Sequence, residues 1–165
     1  MVLDNPFLKL LDSGKPILSD GAMGTMLHKR GIGFDVCFDE LNLANPAVVG
    51  DIHRAYIEAG ASIIQTNTFG GNRYKLEQHG LEDRLVEINT AGVELARRVV
   101  WASFKKVLIA GDVGPLGVRL APFGRVQPEQ ARQAFAEQIT ALANAGVDLL
   151  IIETMTDLYE VREAI

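Results

Sequence analysis

Four short apolar runs recur along this chain, and longer segments with helical spacing lie between them. The runs are strand-sized and show no regular alternation with polar residues, which is typical of parallel strands covered on both faces. They lie at residues 16–19, 61–66, 106–110 and 148–152. This pattern predicts an α/β fold built on a parallel sheet.

The intervening segments carry helix signals. Residues 45–60 begin with an Asn-Pro pair, which suits an N-cap and a first-turn proline, and end on a glycine. Residues 82–103 and 128–146 also place apolar side chains at helical spacing. Residues 157–165 begin like a helix with a capping box but lack a stop signal. We therefore expect four βα units and a truncated chain.

Polar or glycine-bearing segments follow all four apolar runs. They are DGAMGT at 20–25, TNTFGG at 66–71, GDVGP at 111–115 and ETMTD at 153–157. The carboxyl ends of parallel strands meet at one edge of a sheet, and α/β proteins build their sites there. The sequence therefore predicts a functional site at this edge.

Composition and charge narrow the class of protein. With 165 residues, 48% of them apolar, the chain is the size of one domain with a buried core. Its formal net charge of −5 and the lack of a basic cluster longer than two residues argue against nucleic-acid binding. No apolar run is long enough for a membrane span, so we expect no membrane partner. Cys37 is the only cysteine, which excludes an internal disulfide and favours the cytoplasm.

Five short motifs span nearly the whole chain in a fixed order. They are DGAMGT at 20–25, CFDELN at 37–42, QTNTFG at 65–70, GDVGP at 111–115 and IETM at 152–155. In these motifs the chain resembles the homocysteine S-methyltransferase family, the barrel domain shared by cobalamin-dependent methionine synthase and betaine-homocysteine methyltransferase. The resemblance implies a (β/α)8 TIM barrel. Residues 1–165 would form its N-terminal half, the first four βα units.

The resemblance also implies an activity. The complete domain would transfer a methyl group to the zinc-bound thiolate of L-homocysteine and so produce methionine, and this fragment alone is expected to be inactive. Cobalamin charged by methyltetrahydrofolate, betaine and S-methylmethionine all fit as methyl donors. The family binds zinc through three cysteines, whose positions would lie beyond Ile165. We therefore expect no metal ligand in this chain and do not assign Cys37 as one.

Asp20 and Glu153 are the candidates for binding the substrate's ammonium group, since the resemblance places both against the homocysteine amino group. Paired carboxylates suit an ammonium because charge-assisted hydrogen bonds are strong. Asp20 precedes a glycine, and for this residue taken alone a role in a turn is the favoured explanation, because Asp-Gly is a frequent turn pair. The peptide N–H groups of Gly21 and Ala22 are expected to face the substrate carboxylate, and a tight turn is the competing explanation for the glycine.

Four other residues follow the second and third strands. The resemblance places Thr66, Asn67 and Thr68 against the substrate pocket, although turn chemistry at a strand end explains Thr66 at least as well. Asp112 is a site-lining candidate, with a structural role in its loop as the favoured explanation. His28, His53 and His79 lack the spacing of a metal site, so we expect surface or packing roles.

Two other functions remain open from the residues. One is a lyase or aldolase barrel in which Asp20, Asp112 and Glu153 hold Mg²⁺, since hard oxygen ligands suit that ion. The other is a non-catalytic half-barrel that binds an amino acid. A half-barrel would leave two sheet edges unpaired, so we also expect self-association, or pairing with the missing C-terminal half.

Overall fold

A computed structural model describes residues 5–165 as helices arranged around a small sheet. The α-helices are α1 (Pro6–Asp12), α2 (Met23–Lys29), α3 (Leu41–Ala44), α4 (Pro46–Glu58), α5 (Arg73–Glu77), α6 (Leu85–Ser103), α7 (Pro128–Ala145) and α8 (Leu158–Ala164), with a 3-10 helix at Glu82–Arg84. The strands are β1 (Ile63–Gln65), β2 (Leu108–Val113) and β3 (Leu149–Ile152). None of the helices in this part of the chain is long and apolar enough to cross a membrane.

The three strands form one parallel sheet in the order β1-β2-β3. Ile63 lies opposite Leu108, and Ala110 lies opposite Leu149. All three strands therefore end at the same edge of the sheet, because parallel strands run in one direction. The predicted α/β fold with a parallel sheet is confirmed.

The predicted first strand is reduced to a single bridge. Ser19 forms an isolated parallel bridge with Ile63, and the Asp20 N–H donates to the Ile63 carbonyl at 3.0 Å. Pro16 has no N–H to donate, and the segment is too short for a regular ladder. The run at 16–19 nevertheless lies beside β1, so Asp20 reaches the same edge as the strand ends.

The strand predicted at 106–110 and the capping of α4 differ from the sequence expectation. The strand expected at 106–110 runs over Leu108–Val113 instead, so Asp112 lies inside β2 rather than after it. Asn45 occupies the N-cap position of α4, but its side chain makes no capping hydrogen bond. By contrast, α7 ends at Gly146 as predicted, where φ is 88° and a residue without a Cβ is favoured.

The predicted capping box of α8 does not form. The Asp157 side chain accepts a hydrogen bond from the Tyr159 N–H at 2.8 Å, as an N-cap should. Its expected partner, Glu160, is buried and instead accepts from the Leu116 N–H at 2.7 Å. The carboxylate therefore fastens α8 to the loop after β2, and this long-range contact replaces the local one.

Apolar side chains from the helices pack on the sheet and hold the strand ends in place. In one cluster Ile52 of α4 and Leu95 of α6 pack with Ile64 of β1. In a second cluster Phe135 of α7 packs with Val113 of β2. The helices thus pack against the faces of the sheet and stabilise the strands. The carboxyl ends of the strands remain available for a site.

We predict that the isolated 165-residue chain self-associates. Within residues 5–165, β3 pairs with β2 alone, and its Leu150 is 38% exposed. Leu18 is 55% exposed at the other side of the sheet. Unpaired edges and exposed apolar side chains promote association. Light scattering coupled to size exclusion should give a mass above the 18.0 kDa of one chain. A monomer that stays monomeric as its concentration rises would contradict the prediction.

Candidate functional site

A cavity of about 660 Å³ opens at the carboxyl ends of the strands. Its walls come from the start of α2, the loop before α3, the loop after β1, α5 and the ends of β2 and β3. This is the edge at which the sequence predicts a site. A volume of this size lies within the range of small-molecule pockets.

The predicted site residues divide into two groups. Ala22, Asn67, Asp112 and Glu153 line the cavity. The others lie next to them in the chain or the sheet, outside the lining: Asp20, Gly21, Thr66 and Thr68. Contact of either group with a substrate stays a prediction.

Asp20 joins the first apolar run to the sheet. Its Oδ2 accepts a hydrogen bond from the Gln65 N–H at 2.9 Å, and its Oδ1 accepts one from the Ser19 hydroxyl at 3.3 Å. Burial raises the pKa of Asp20 to about 6, although these hydrogen bonds oppose the rise. The side chain therefore has a structural role, and it carries a negative charge near neutral pH.

Gly21 and Ala22 link Asp20 to α2. The Tyr56 hydroxyl donates to the Ala22 carbonyl at 3.1 Å. A Cβ on Gly21 would lie 3.1 Å from the Tyr56 hydroxyl oxygen, which is tighter than ordinary contact. The close approach of Tyr56 thus gives a physical reason for glycine here, independent of any substrate.

Thr66 and Thr68 connect the end of β1 to β2. Their hydroxyl oxygens lie 2.6 Å apart, and the Thr68 hydroxyl donates to the Asp112 carbonyl at 2.8 Å. The Asp112 N–H in turn donates to the Thr66 hydroxyl at 3.1 Å. From α7, the Gln138 amide donates to the Thr68 carbonyl at 2.7 Å. Both threonines are buried, and their hydroxyls hold the backbone of Asp112 in place.

Asn67 fastens the CFDELN loop to the end of β1. Its amide donates to the Phe38 carbonyl at 2.6 Å and to the Asn42 side-chain oxygen at 3.2 Å. The Asn42 amide returns a bond to the Asn67 carbonyl at 2.8 Å. Two motifs of the sequence thus meet through the side chains of Asn67 and Asn42 and the Asn67 backbone carbonyl, and this contact shapes one wall of the cavity.

Asp112 is the second-last residue of β2, and Glu153 directly follows β3. The Glu153 N–H donates to the Val113 carbonyl at 3.1 Å, which extends the pairing of β2 and β3. Asp112 is only 6% exposed, and its Oδ1 has no hydrogen-bond partner among the described residues. Burial, and then the negative charge of Glu153, raise the pKa of Asp112 to about 8. The resulting site favours a cation.

Sequence reasoning missed two charged residues of the cavity, Asp39 and Lys75. Asp39 is buried, its Oδ1 accepts from the Gly70 N–H at 2.8 Å, and burial raises its pKa to about 6. The Lys75 ammonium lies 4.2 Å from the centre of the Phe69 ring, a cation–π contact, and burial lowers its pKa. Asp39 lies within the CFDELN motif at 37–42, and this position in a family motif could have identified it as a site residue. Lys75 lies on α5, a short helix with no clear sequence pattern.

Residues 5–165 contain no group of three or more His, Cys, Asp and Glu side chains that could hold a metal ion. The arrangement of Asp20, Asp112 and Glu153 therefore gives no support to the Mg²⁺ lyase alternative. Cys37 is buried, and burial raises the pKa of its thiol, which disfavours the thiolate that metals bind. The residues of this part of the chain do not fit a zinc site.

The histidines follow the expectation of packing and surface roles in two cases. His53 is fully buried in α4, and the exposed His28 ring stacks on Phe34 with ring centres 4.3 Å apart. His79 is exposed and borders the cavity.

Two curated relatives cover nearly the whole chain. The methionine synthase of Mycobacterium tuberculosis is 33% identical over 171 aligned positions, which cover 98% of this chain and 14% of the relative. The methionine synthase of Mycobacterium leprae is 32% identical, with 90% and 13% covered. The chain thus spans about one seventh of the length of these relatives.

Solved structures of the homocysteine methyltransferase MmuM from Escherichia coli have the same fold. The metallated form superposes with a TM-score of 0.83 at 28% identity and covers 96% of this chain and 60% of that protein. The apo form gives a TM-score of 0.72 at 27% identity. The sheet and helices described above therefore match part of a homocysteine methyltransferase barrel.

The family resemblance is also tested directly by a sequence profile. The profile described as homocysteine S-methyltransferase matches residues 17–165, which begin at the first apolar run and include every predicted site residue. The match covers well over half of the chain. We conclude that this chain belongs to the homocysteine S-methyltransferase family.

Proposed function

We propose that this chain forms the amino-terminal half of a homocysteine-binding (β/α)8 barrel, with residues 1–165 as its first four βα units. The complete domain would transfer a methyl group to the thiolate of L-homocysteine and produce methionine. One observation carries the proposal: an acidic cavity lies at the carboxyl ends of the strands in a chain of this family. In barrel enzymes this face holds the active site.

The charges of the cavity suit an α-amino acid. Glu153 and Asp112 supply carboxyl groups at the ends of β3 and β2, and Asp20 lies at the end of the first apolar run. We assign Asp20 and Glu153 to the substrate ammonium group, because charge-assisted hydrogen bonds to a carboxylate are about twice as strong as neutral ones. The N–H groups of Gly21 and Ala22 would face the substrate carboxylate.

The loop after β1 shapes the wall behind the substrate. Asn67 lines the cavity, and the proposal keeps it as a substrate contact. Thr66 and Thr68 act through Asp112, since their hydroxyls bond its backbone. Orienting the amino acid in this way would direct its thiol toward the reaction, which is the main contribution that binding residues make to a transfer.

Zinc, which the family resemblance implies, does not fit the described residues of this chain. We therefore place its ligands outside residues 5–165. A bound zinc ion stabilises a thiolate at neutral pH, a state that a free thiol with a pKa of about 8.5 reaches only in small part. The part played by this chain would be to bind and orient the amino acid.

The methyl donor is not fixed by this cavity. Methylcobalamin charged by methyltetrahydrofolate fits the methionine synthase relatives, and the chain covers 14% and 13% of their lengths. We propose that the reaction takes place in the cytoplasm, because the one cysteine of the chain, Cys37, is a free thiol and a reducing compartment keeps thiols free.

Binding of L-homocysteine to this chain tests the proposal. Isothermal titration should give saturable binding with one site per chain. The analogue 4-mercaptobutyrate, which lacks the ammonium group, should bind at least 10-fold more weakly, because its loss removes a charge-assisted hydrogen bond worth about 1.5–3 kcal/mol. Equal affinity for the two compounds, or no binding of either, would refute the proposed site.

A further inference from the structure

Asp112 is a buried acid with an unused oxygen. Its side chain lines the cavity, the residue is 6% exposed, and its Oδ1 has no partner among the described residues. A buried polar atom without a hydrogen bond is unfavourable unless a ligand satisfies it. The backbone N–H and carbonyl of Asp112 are held by Thr66 and Thr68, which fixes the position of its Cα at the cavity.

The charges around Asp112 come from four other segments. Glu153 follows β3, Asp20 follows the first apolar run, and Asp39 lies in the loop before α3. The negative charges of all three raise the pKa of Asp112, and Glu153 has the largest effect among them. Lys75 on α5 is a positively charged neighbour and interacts favourably with the Asp112 carboxylate. Burial lowers the pKa of Lys75 itself. Negative neighbours therefore outnumber the positive one.

We infer that Asp112 and Glu153 act as one carboxyl pair that holds a proton when the cavity is empty and releases it when a substrate ammonium group enters. This inference rests on the proposed function, since it concerns the same site. It adds Asp112 as a substrate-binding residue, in addition to the two carboxylates that the family resemblance indicates.

The proton balance of this step is simple. In the empty cavity Asp112 is a neutral carboxylic acid that faces the Glu153 carboxylate across the ends of β2 and β3. When the ammonium group binds, Asp112 gives its proton to the solvent and the ligand remains an ammonium. The pair then carries two negative charges against one positive charge of the ligand, a more favourable state for ionised Asp112 than the empty cavity.

The pKa of Asp112 fixes the direction of the effect. Burial and the charge of Glu153 raise it to about 8, so the acid is mostly protonated at pH 7. Binding that releases a proton becomes tighter as pH rises. The affinity should increase by up to about tenfold per pH unit below pH 8 and level off above it.

The first experiment needs no ligand. Carbon-13 NMR of carboxyl-labelled protein should show one aspartate signal that titrates near pH 8 and is absent from Asp112→Asn. Asn keeps the shape of the side chain and mimics the neutral acid. An Asp112 signal that titrates below pH 5 would overturn the inference, and it would leave the proposed homocysteine site untouched.

The second experiment measures proton release on binding. L-homocysteine is titrated in buffers of different ionisation enthalpy at pH 7, into the wild-type chain and into Asp112→Asn. The wild type should release up to one proton more than the variant, and the thiol of the ligand contributes equally to both. Equal proton release, with binding in both proteins, would refute the carboxyl pair. Absence of binding in the wild type would instead refute the proposed function.

A control variant separates a local effect from a general loss of charge. Glu94 is exposed on α6, away from the cavity, and Glu94→Gln removes one negative charge there. Its proton release and pH dependence should equal those of the wild type. If Glu94→Gln changed them as much as Asp112→Asn, net charge rather than the pair would be responsible, and the inference would fail.

Discussion

Glu153→Gln should weaken the binding of L-homocysteine by about 10- to 150-fold. Glu153 directly follows β3 and lines the cavity, and the proposed contact with the substrate ammonium is a charge-assisted hydrogen bond. Removing such a bond at a partly buried site costs about 1.5–3 kcal/mol, which corresponds to that loss of affinity. Gln is isosteric with Glu, so the change removes the charge and leaves the volume.

Titration calorimetry of the variant against wild type measures this loss. Asp20→Asn tests the second carboxylate, and its remaining side-chain oxygen can still accept the Gln65 N–H bond that joins the first apolar run to β1. Glu94→Gln on the exposed face of α6 is the matched control and should bind as the wild type does. Unchanged affinity in both Asp20→Asn and Glu153→Gln would leave these carboxylates with structural roles alone.

The position of the site could be predicted because it depends only on the strands being parallel. Parallel strands end at one edge, so the polar segments after each apolar run had to meet there. Asp112 and Glu153 are 41 residues apart in the chain, yet the register places Asp112 opposite Ile151 and so brings Glu153, two residues further on, to the same edge. The long helices followed from apolar periodicity, and α7 begins and ends close to the expected residues.

Other features depend on contacts that no local pattern encodes. The sequence predicts that Glu160 caps its own helix. Its carboxylate instead accepts a hydrogen bond from the N–H of Leu116, 44 residues away in the chain. The hydroxyls of Thr66 and Thr68 bond the backbone of Asp112, which lies more than 40 residues further along the chain, while their contact with a substrate stays a prediction. In each case a buried N–H or carbonyl group needs a partner, and the nearest side chain in space provides it.

The charge state of the site was also beyond sequence reasoning. A carboxylate after an apolar strand is ordinary in a sequence, and its pKa is set by burial and by neighbours from other segments. Asp112 has a pKa of about 8 because it is buried beside Glu153, whereas the exposed Glu87 has a lowered pKa because Arg84 donates to it. The same residue class therefore differs in charge at neutral pH according to the fold around it.

His53 should make the folded state less stable in mild acid. The side chain is fully buried in α4, and neither ring nitrogen has a hydrogen-bond partner among the described residues. Burial lowers the pKa of His53 from 6.5 to about 4. Because the unfolded chain binds the proton more readily, this stability is present above pH 6.5 and is lost as pH falls toward 4. A difference of about 2.5 pKa units corresponds to about 3 kcal/mol over the whole range.

The variant His53→Leu should remove this dependence, because leucine has a similar volume and no proton to bind. Urea unfolding at pH 7 and pH 5 should show that the wild type loses about 2 kcal/mol more than the variant between these values. At pH 7 the variant should be more stable by about 1–3 kcal/mol, since it no longer buries two unpaired nitrogens.

The raised pKa values of Asp20, Asp39 and Asp112 act in the opposite direction, because their protonation favours the folded state as pH falls. They are common to both proteins and cancel in the comparison. Parallel loss of stability in the two proteins would show that His53 does not carry the acid sensitivity.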